Sequence, residues 1–150
     1  ILSRFLPANE SIDKVQQDIV PLQSKNVLVC DYGAFKNLCN LELRLAQRHS
    51  FDSTLLLVSV NVMKPFDGHS KIFRDTLNRG MDRVEDVLID ALRNSDSVSK
   101  VSPNQYSCLL SMCNIDDATL VIERIEKYFY RGLKKNDIYI TCNSQKLGSN

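Results

Sequence analysis

Ser97-Val98-Ser99-Lys100-Val101-Ser102-Pro103-Asn104-Gln105-Tyr106-Ser107-Cys108-Leu109-Leu110 reads as two short strands joined by a tight turn at Ser102-Pro103-Asn104-Gln105. Pro103 presets φ at the second turn position, and Asn104 tolerates the bridge or left-handed conformations that the third can require. Val98 and Val101 can face apolar neighbours, while Tyr106, Cys108 and Leu110 alternate with Ser107 and Leu109 in a mostly buried strand pattern. A polar hairpin tip between two longer helical segments can present hydrogen-bonding groups to a ligand. The flanking chain decides whether it does chemistry.

Upstream, Ser70 can cap a helix running to about Arg93, whose Phe73, Leu77, Met81, Val84, Leu88 and Leu92 recur at three- and four-residue spacing. Gly80 inside it reads as a weakness of about 1 kcal/mol against Ala. Before that helix, Thr54-Leu55-Leu56-Leu57-Val58-Ser59-Val60-Asn61-Val62 gives the strongest strand signal, a near-continuous apolar run expected in a central strand covered on both faces. Ser59 and Asn61 interrupt it two residues apart, and so on one face near the strand's end. Residues 63–69 are expected to form a loop punctuated by Pro65 and Gly68.

Downstream of the hairpin, Asn114 is a fair N-cap with Asp116 and Asp117 in the first turn. Val121, Ile125, Tyr128 and Phe129 form that helix's buried stripe, and Gly132 stops it. Ile138-Tyr139-Ile140-Thr141-Cys142 alternates as a last strand. From Thr54 onward the order is strand, helix, strand, strand, helix, strand. Such a β-α-β-β-α-β unit predicts an α+β fold with a ferredoxin-like core, both helices on one face of an antiparallel four-stranded sheet.

In front of that core, residues 34–48 show a helical stripe of Phe35, Leu38, Leu41 and Leu45. Leu43 and Arg44 lie off it and are the candidate contact with a partner chain or domain. Val27-Leu28-Val29-Cys30 is a brief β-like run. Asn9 or Ser11 can cap a short helix from Ile12 towards Ile19, striped by Val15 and Ile19 and closed by Pro21. The division expected is a linker and preamble helix over 1–25, one domain over 26–145, and a disordered tail over 146–150.

Composition narrows the function classes. At 150 residues the chain can bury a substantial core, and its 43% apolar and 25% charged residues suit a water-exposed globular domain. A net charge of +1 supplies no general basic field for nucleic acid. No apolar run reaches the roughly 18 residues that a membrane-spanning helix needs. The opening Ile1-Leu2-Ser3-Arg4 carries neither a signal peptide nor Met, so the chain is read as part of a longer, cytoplasmic protein. Cys30, Cys39, Cys108, Cys113 and Cys142 contain no Cys-x-x-Cys pair and share no metal-ligand spacing with His49 or His69. They read as reduced thiols, and no cofactor or metal is expected.

The order and several local runs resemble the GGDEF-type domain of diguanylate cyclases, a nucleotide-cyclase-like fold, over roughly residues 34–142. In that family the first core strand ends Asp-x-Asp-His-Phe-Lys, where this chain has Ser59-Val60-Asn61-Val62-Met63-Lys64. The signature hairpin, Arg-Tyr-Gly-Gly-Asp-Glu-Phe, is matched in place by Lys100-Val101-Ser102-Pro103-Asn104-Gln105-Tyr106. Cys30-Asp31-Tyr32-x-x-Phe35-Lys36, followed by Leu41-Glu42-Leu43-Arg44-Leu45-Ala46-Gln47-Arg48, is similar to the degenerate GGDEF-like C-terminal domain of certain Firmicute-type winged-helix transcriptional regulators.

The resemblance implies a cyclase site in which carboxylates hold two divalent cations against GTP phosphates. The matching positions hold Ser59, Asn61 and Gln105, all neutral, and Ser102 and Pro103 replace the two glycines. Neutral oxygens cannot balance Mg²⁺ or lower the pKa of a bound hydroxyl comparably, so no enzyme activity is expected. Ser59, Asn61, Lys64, Asn104 and Gln105 remain a candidate vestigial ligand site for a nucleotide or cyclic dinucleotide. Many active cyclases also carry an inhibitory Arg-x-x-Asp before the hairpin. The corresponding segment, Leu92-Arg93-Asn94-Ser95, is read as lacking that spacing. The expected role is a non-catalytic signalling and dimerisation domain, with DNA bound only by a further domain. A nucleotide-binding sensory module is the alternative, and an active cyclase comes third.

Overall fold

The computed structural model describes residues 9–19, 26–63 and 70–149. Along them run α1 (Ile12–Ile19), β1 (Leu28–Val29), α2 (Tyr32–His49), β2 (Thr54–Val62), α3 (Lys71–Ala91), β3 (Ser97–Ser102), β4 (Gln105–Leu110), α4 (Ile115–Tyr130) and β5 (Ile138–Lys146). The strands form one sheet in the order β1-β3-β4-β2-β5. β2 is antiparallel to both β4 and β5, β3 is antiparallel to β4, and the short β1 joins the edge parallel to β3. The core from β2 to β5 is therefore the α+β, ferredoxin-like unit expected from the element order, widened by one edge strand.

Period-two alternation sorts the side chains between two faces. Leu56, Val58 and Val60 of β2, Tyr106, Cys108 and Leu110 of β4, and Ile138 and Ile140 of β5 pack against Met81, Val84 and Leu88 of α3 and Ile125 and Phe129 of α4. The opposite face carries a smaller cluster in which Phe35 of α2 meets Leu109 and Leu147, with Leu43, Cys39 and Leu55 packed around them. β2 is thus covered on both faces over its first half, as its continuous apolar run predicts.

The helix caps follow the sequence where a short polar side chain precedes a periodic run. Ser70 Oγ accepts from Phe73 N–H and Asn114 Oδ1 from Asp117 N–H. Ser11 Oγ accepts from Lys14 N–H at the start of α1. α2 begins earlier than the apolar stripe suggests, because Asp31 caps it through Ala34 N–H at 2.8 Å.

Three expectations are corrected. In α2 the inward face is Phe35, Cys39, Leu43 and Ala46, whereas Leu41 and Leu45 are exposed. Leu43, the candidate partner contact, is partly buried in its own chain, where it packs against Leu147 and lies beside Gly148. Arg44 stays exposed. The disordered tail expected over 146–150 does not begin there either, since β5 runs on through Lys146, Leu147 is buried, and Leu147 N–H donates to Ser53 O. Finally, Gly80 is a close-packing position as well as a helix weakness. A Cβ there would sit 2.7 Å from Val60 Cγ1, so its absence lets α3 lie directly on β2.

Candidate functional site

The hairpin turns through Pro103 and Asn104, and Ser102 pairs with Gln105 across it. Neither turn residue has a positive φ. A two-residue turn without positive φ does not match the twist of the strands, and the register shift between Lys100 and Ser102, which leaves Val101 unpaired, absorbs the mismatch. Ser102 Oγ lies 3.0 Å from both Asn104 Oδ1 and Gln105 Oε1, and its single proton serves either oxygen. The turn is locked by its own side chains.

Register brings the candidate residues of two strands together. Ser59 stands directly opposite Gln105 on β4 and opposite Thr141 on β5. Gln105 Nε2 donates to Ser59 Oγ at 3.0 Å, and Asn104 binds β2 through its backbone O, which accepts from Val60 N–H at 2.8 Å, and its Nδ2, 3.4 Å from Val60 O. Asn61, one step further on the same face, makes only long contacts of 3.5 Å to Ser59 O and Thr141 Oγ1. Ser59, Asn61, Asn104 and Gln105 therefore do converge: Ser59 and Gln105 satisfy each other, Asn104 is held by Val60 and Ser102, and Asn61 lies at the margin. Lys64 lies outside the described residues.

This donor set is a poor fit for Mg²⁺ or Ca²⁺, which are held by carboxylates supplemented by neutral oxygens. No carboxylate belongs to the cluster, and the described residues contain no group of three or more His, Cys, Asp or Glu suited to a metal ion. An acidic group also meets the hairpin from the other face. There Tyr106 Oη donates to Glu85 Oε2 at 3.2 Å, and burial, aided by the Glu85 charge, pushes the phenol up to about 12. That contact fastens β4 to α3 and does not reach Ser59.

Two features escaped the sequence reading. The first is an apolar cavity of about 360 Å³ between the start of α2 and the open sheet face, lined by Tyr32, Phe35, Lys36, Leu57, Val101 and Ser107 among others. Ser107 and Leu57 pair two residues along from Gln105 and Ser59, so the cavity adjoins the polar cluster. The alternation of β2 and β4 marks Leu57 and Ser107 as facing that side, but no local signal shows that α2 stands off from them.

The second is at the base of the hairpin, where the reading of Leu92–Ser95 is corrected. Arg93-Asn94-Ser95-Asp96 does keep the Arg-x-x-Asp spacing, with Asp96 lying one residue past that segment. Asp96 is buried and accepts from Arg93 N–H at 2.9 Å and Ser111 N–H at 3.1 Å. The Arg93 guanidinium closes the arrangement, 3.2 Å from Asp96 Oδ1 and 2.6 Å from Ser111 O, while remaining 54% exposed. Asp96 thus joins the entry of β3 to the exit of β4, a structural post for the hairpin.

Comparison with known proteins follows this geometry. No family model matches the chain, and no curated protein sequence matches it. Solved structures do match in fold. A diguanylate cyclase protein from Thermotoga maritima aligns with TM-score 0.64 at 15% identity, covering 83% of this chain and 84% of that one. The coiled coil and GGDEF domain of DgcB from Caulobacter crescentus, in complex with c-di-GMP, aligns with TM-score 0.66 at 9% identity over 90% of this chain and 76% of that one. The diguanylate cyclase SiaD from Pseudomonas aeruginosa, in complex with its activator SiaC, aligns with TM-score 0.65 at 15% identity. There the match covers 92% of this chain but only 58% of SiaD. The chain has the fold of GGDEF diguanylate cyclase domains.

Proposed function

We propose that this chain is a non-catalytic GGDEF-like domain that serves signalling and dimerisation in a bacterial transcriptional regulator. The observation that carries the proposal is the Ser59–Gln105 hydrogen bond at 3.0 Å. It stands where the resemblance to cyclases calls for two carboxylates and their cations. A neutral, self-satisfied pair offers no charge to Mg²⁺ and no base for a 3′-hydroxyl. The side chains at the tip are committed to holding the turn. DNA recognition falls to a further domain, since the chain's net charge of +1 supports no extensive phosphate contact. Incubation with GTP and Mg²⁺ or Mn²⁺ tests the catalytic half, and no cyclic or linear dinucleotide product is expected.

A second reading has its own support. The cavity of about 360 Å³ beside the polar cluster falls within the size range of small-molecule sites, and half-exposed Arg93 keeps the spacing of the cyclases' inhibitory motif. In this reading the domain senses a nucleotide or cyclic dinucleotide without turning it over. A thermal-shift screen with GTP, GDP and cyclic dinucleotides separates the two. A shift abolished by Gln105→Ala or Asn104→Ala favours sensing at the hairpin, one abolished by Arg93→Ala favours the base, and none at millimolar ligand favours the scaffold.

A further inference from the structure

α1 is amphipathic, yet it buries none of its residues: Ile12, Val15 and Ile19 are 76%, 45% and 55% exposed. α2 carries a second apolar stripe besides the one on the sheet. Leu38, Leu41 and Leu45 fall on its outward flank, with Leu41 55% and Leu45 39% exposed. The two stripes have the same i, i+3, i+7 spacing and the same eight-residue span, about 10 Å of helix. Their charges are opposite. At 100° per residue Arg44 and Arg48 lie along one side of the α2 stripe, and neither has an ion-pair partner among the described residues. α1 and the residue before its cap bring Glu10, Asp13 and Asp18 against a single Lys14.

We infer that the occupant of the α2 stripe is α1 of a second copy of this chain, exchanged reciprocally about a two-fold axis. The inference rests on the dimerisation reading above and names its surface. A two-fold exchange places two equal contacts in one interface, which lets a helix of only eight residues contribute twice. Pairing α2 with α2 would instead set Arg44 and Arg48 of both copies along one seam, and pairing α1 with α1 would leave Leu41 and Leu45 in water. The α1–α2 pairing covers both stripes and sets the net acidic α1 against the arginine-bearing flank of α2.

Sedimentation equilibrium of the full chain, from micromolar to several hundred micromolar, tests this. The expected result is a dimer that Leu41→Asp and Ile19→Asp each weaken by about tenfold or more with unchanged far-UV circular dichroism, since both positions are exposed. An equimolar mixture of those two variants should regain association through its one intact contact. Dissociation by Ile19→Asp but not by Leu41→Asp would mean that α1 pairs with itself, and would overturn the inference while leaving dimerisation standing. A dimer indifferent to both substitutions would do the same. A monomer at every concentration, with α1 packed on its own α2 or free, would overturn both the inference and the dimerisation reading.

Discussion

Replacing Gly80 with Ala separates the packing account of α3 from an account based on helix propensity. Propensity alone predicts that Gly80→Ala stabilises the chain by about 1 kcal/mol. The structure predicts the opposite sign. The new methyl would lie 2.7 Å from Val60 Cγ1, well inside the 3.5–4.0 Å of a good carbon contact, with Ile138 Cδ1 at 3.4 Å blocking retreat. Val60 is 1% exposed, so its side chain has little room to move aside. Overpacking of this kind costs about 1–3 kcal/mol, and the confined site argues for the upper end. Once the propensity gain is set against it, a net loss of about 2 kcal/mol remains, a fall in Tm of about 4–8 °C for a chain of this size. The partner can be removed to check the cause. Val60→Ala alone should cost about 2 kcal/mol, and Gly80→Ala in that background should stabilise by about 1 kcal/mol. A double-mutant cycle in urea would then show about 3 kcal/mol of coupling. If Gly80→Ala stabilises the unmodified chain, or the two changes add within 0.5 kcal/mol, the close approach of α3 to β2 is wrong.

Three further predictions follow from the hairpin and the thiols. Asp96→Ala leaves the Arg93 and Ser111 N–H groups without their acceptor and should cost about 2–4 kcal/mol by chemical denaturation, whereas Ser111→Ala, which keeps its main-chain bonds and loses only the hydroxyl's bond to Glu42, should cost about 1 kcal/mol. Ser59→Ala and Gln105→Ala should each cost about 1 kcal/mol and couple in a double-mutant cycle, since they remove the two ends of one hydrogen bond. Alkaline titration should destabilise the fold. Burial raises Cys39 and Cys142 to about 11 and pushes Cys108 up further, and Tyr106 rises to about 12. Groups raised above their unfolded values contribute stability that is complete below about pH 9 for the thiols and pH 10 for Tyr106. That stability disappears as pH climbs through the folded values. Urea melts between pH 8 and 11.5 should show the decline, with Tyr106→Phe flattening only the part above pH 10.

The core was legible because its signals are local and agree. Ser70 and Asn114 announce their helices, the stripe from Phe73 to Leu92 has one reading, and Ser102–Gln105 can hardly be anything but a turn. α2 failed differently. It carries two apolar stripes, one through Phe35, Cys39 and Leu43 and one through Leu38, Leu41 and Leu45. Counting leucines selects the second, while the sheet selects the first, because Phe35 fits over Leu109 and a terminal Leu147 closes behind Leu43. Long-range register made that choice, and residues 32–49 contain no record of it. The polar cluster was legible as a list but not as a network. That Gln105 spends its amide on Ser59, and Ser102 its hydroxyl on the turn, depends on β2 and β4 pairing in one register.

The central claim is that a neutral, mutually bonded pair has replaced the cation-holding carboxylates, and turnover tests it most directly. The purified chain at tens of micromolar, incubated for hours with millimolar GTP and Mg²⁺ or Mn²⁺, should yield no linear or cyclic guanosine dinucleotide above a protein-free control on anion-exchange chromatography. An active cyclase in the same buffer supplies the positive standard. Product that rises with protein concentration and disappears in Gln105→Ala would contradict the account.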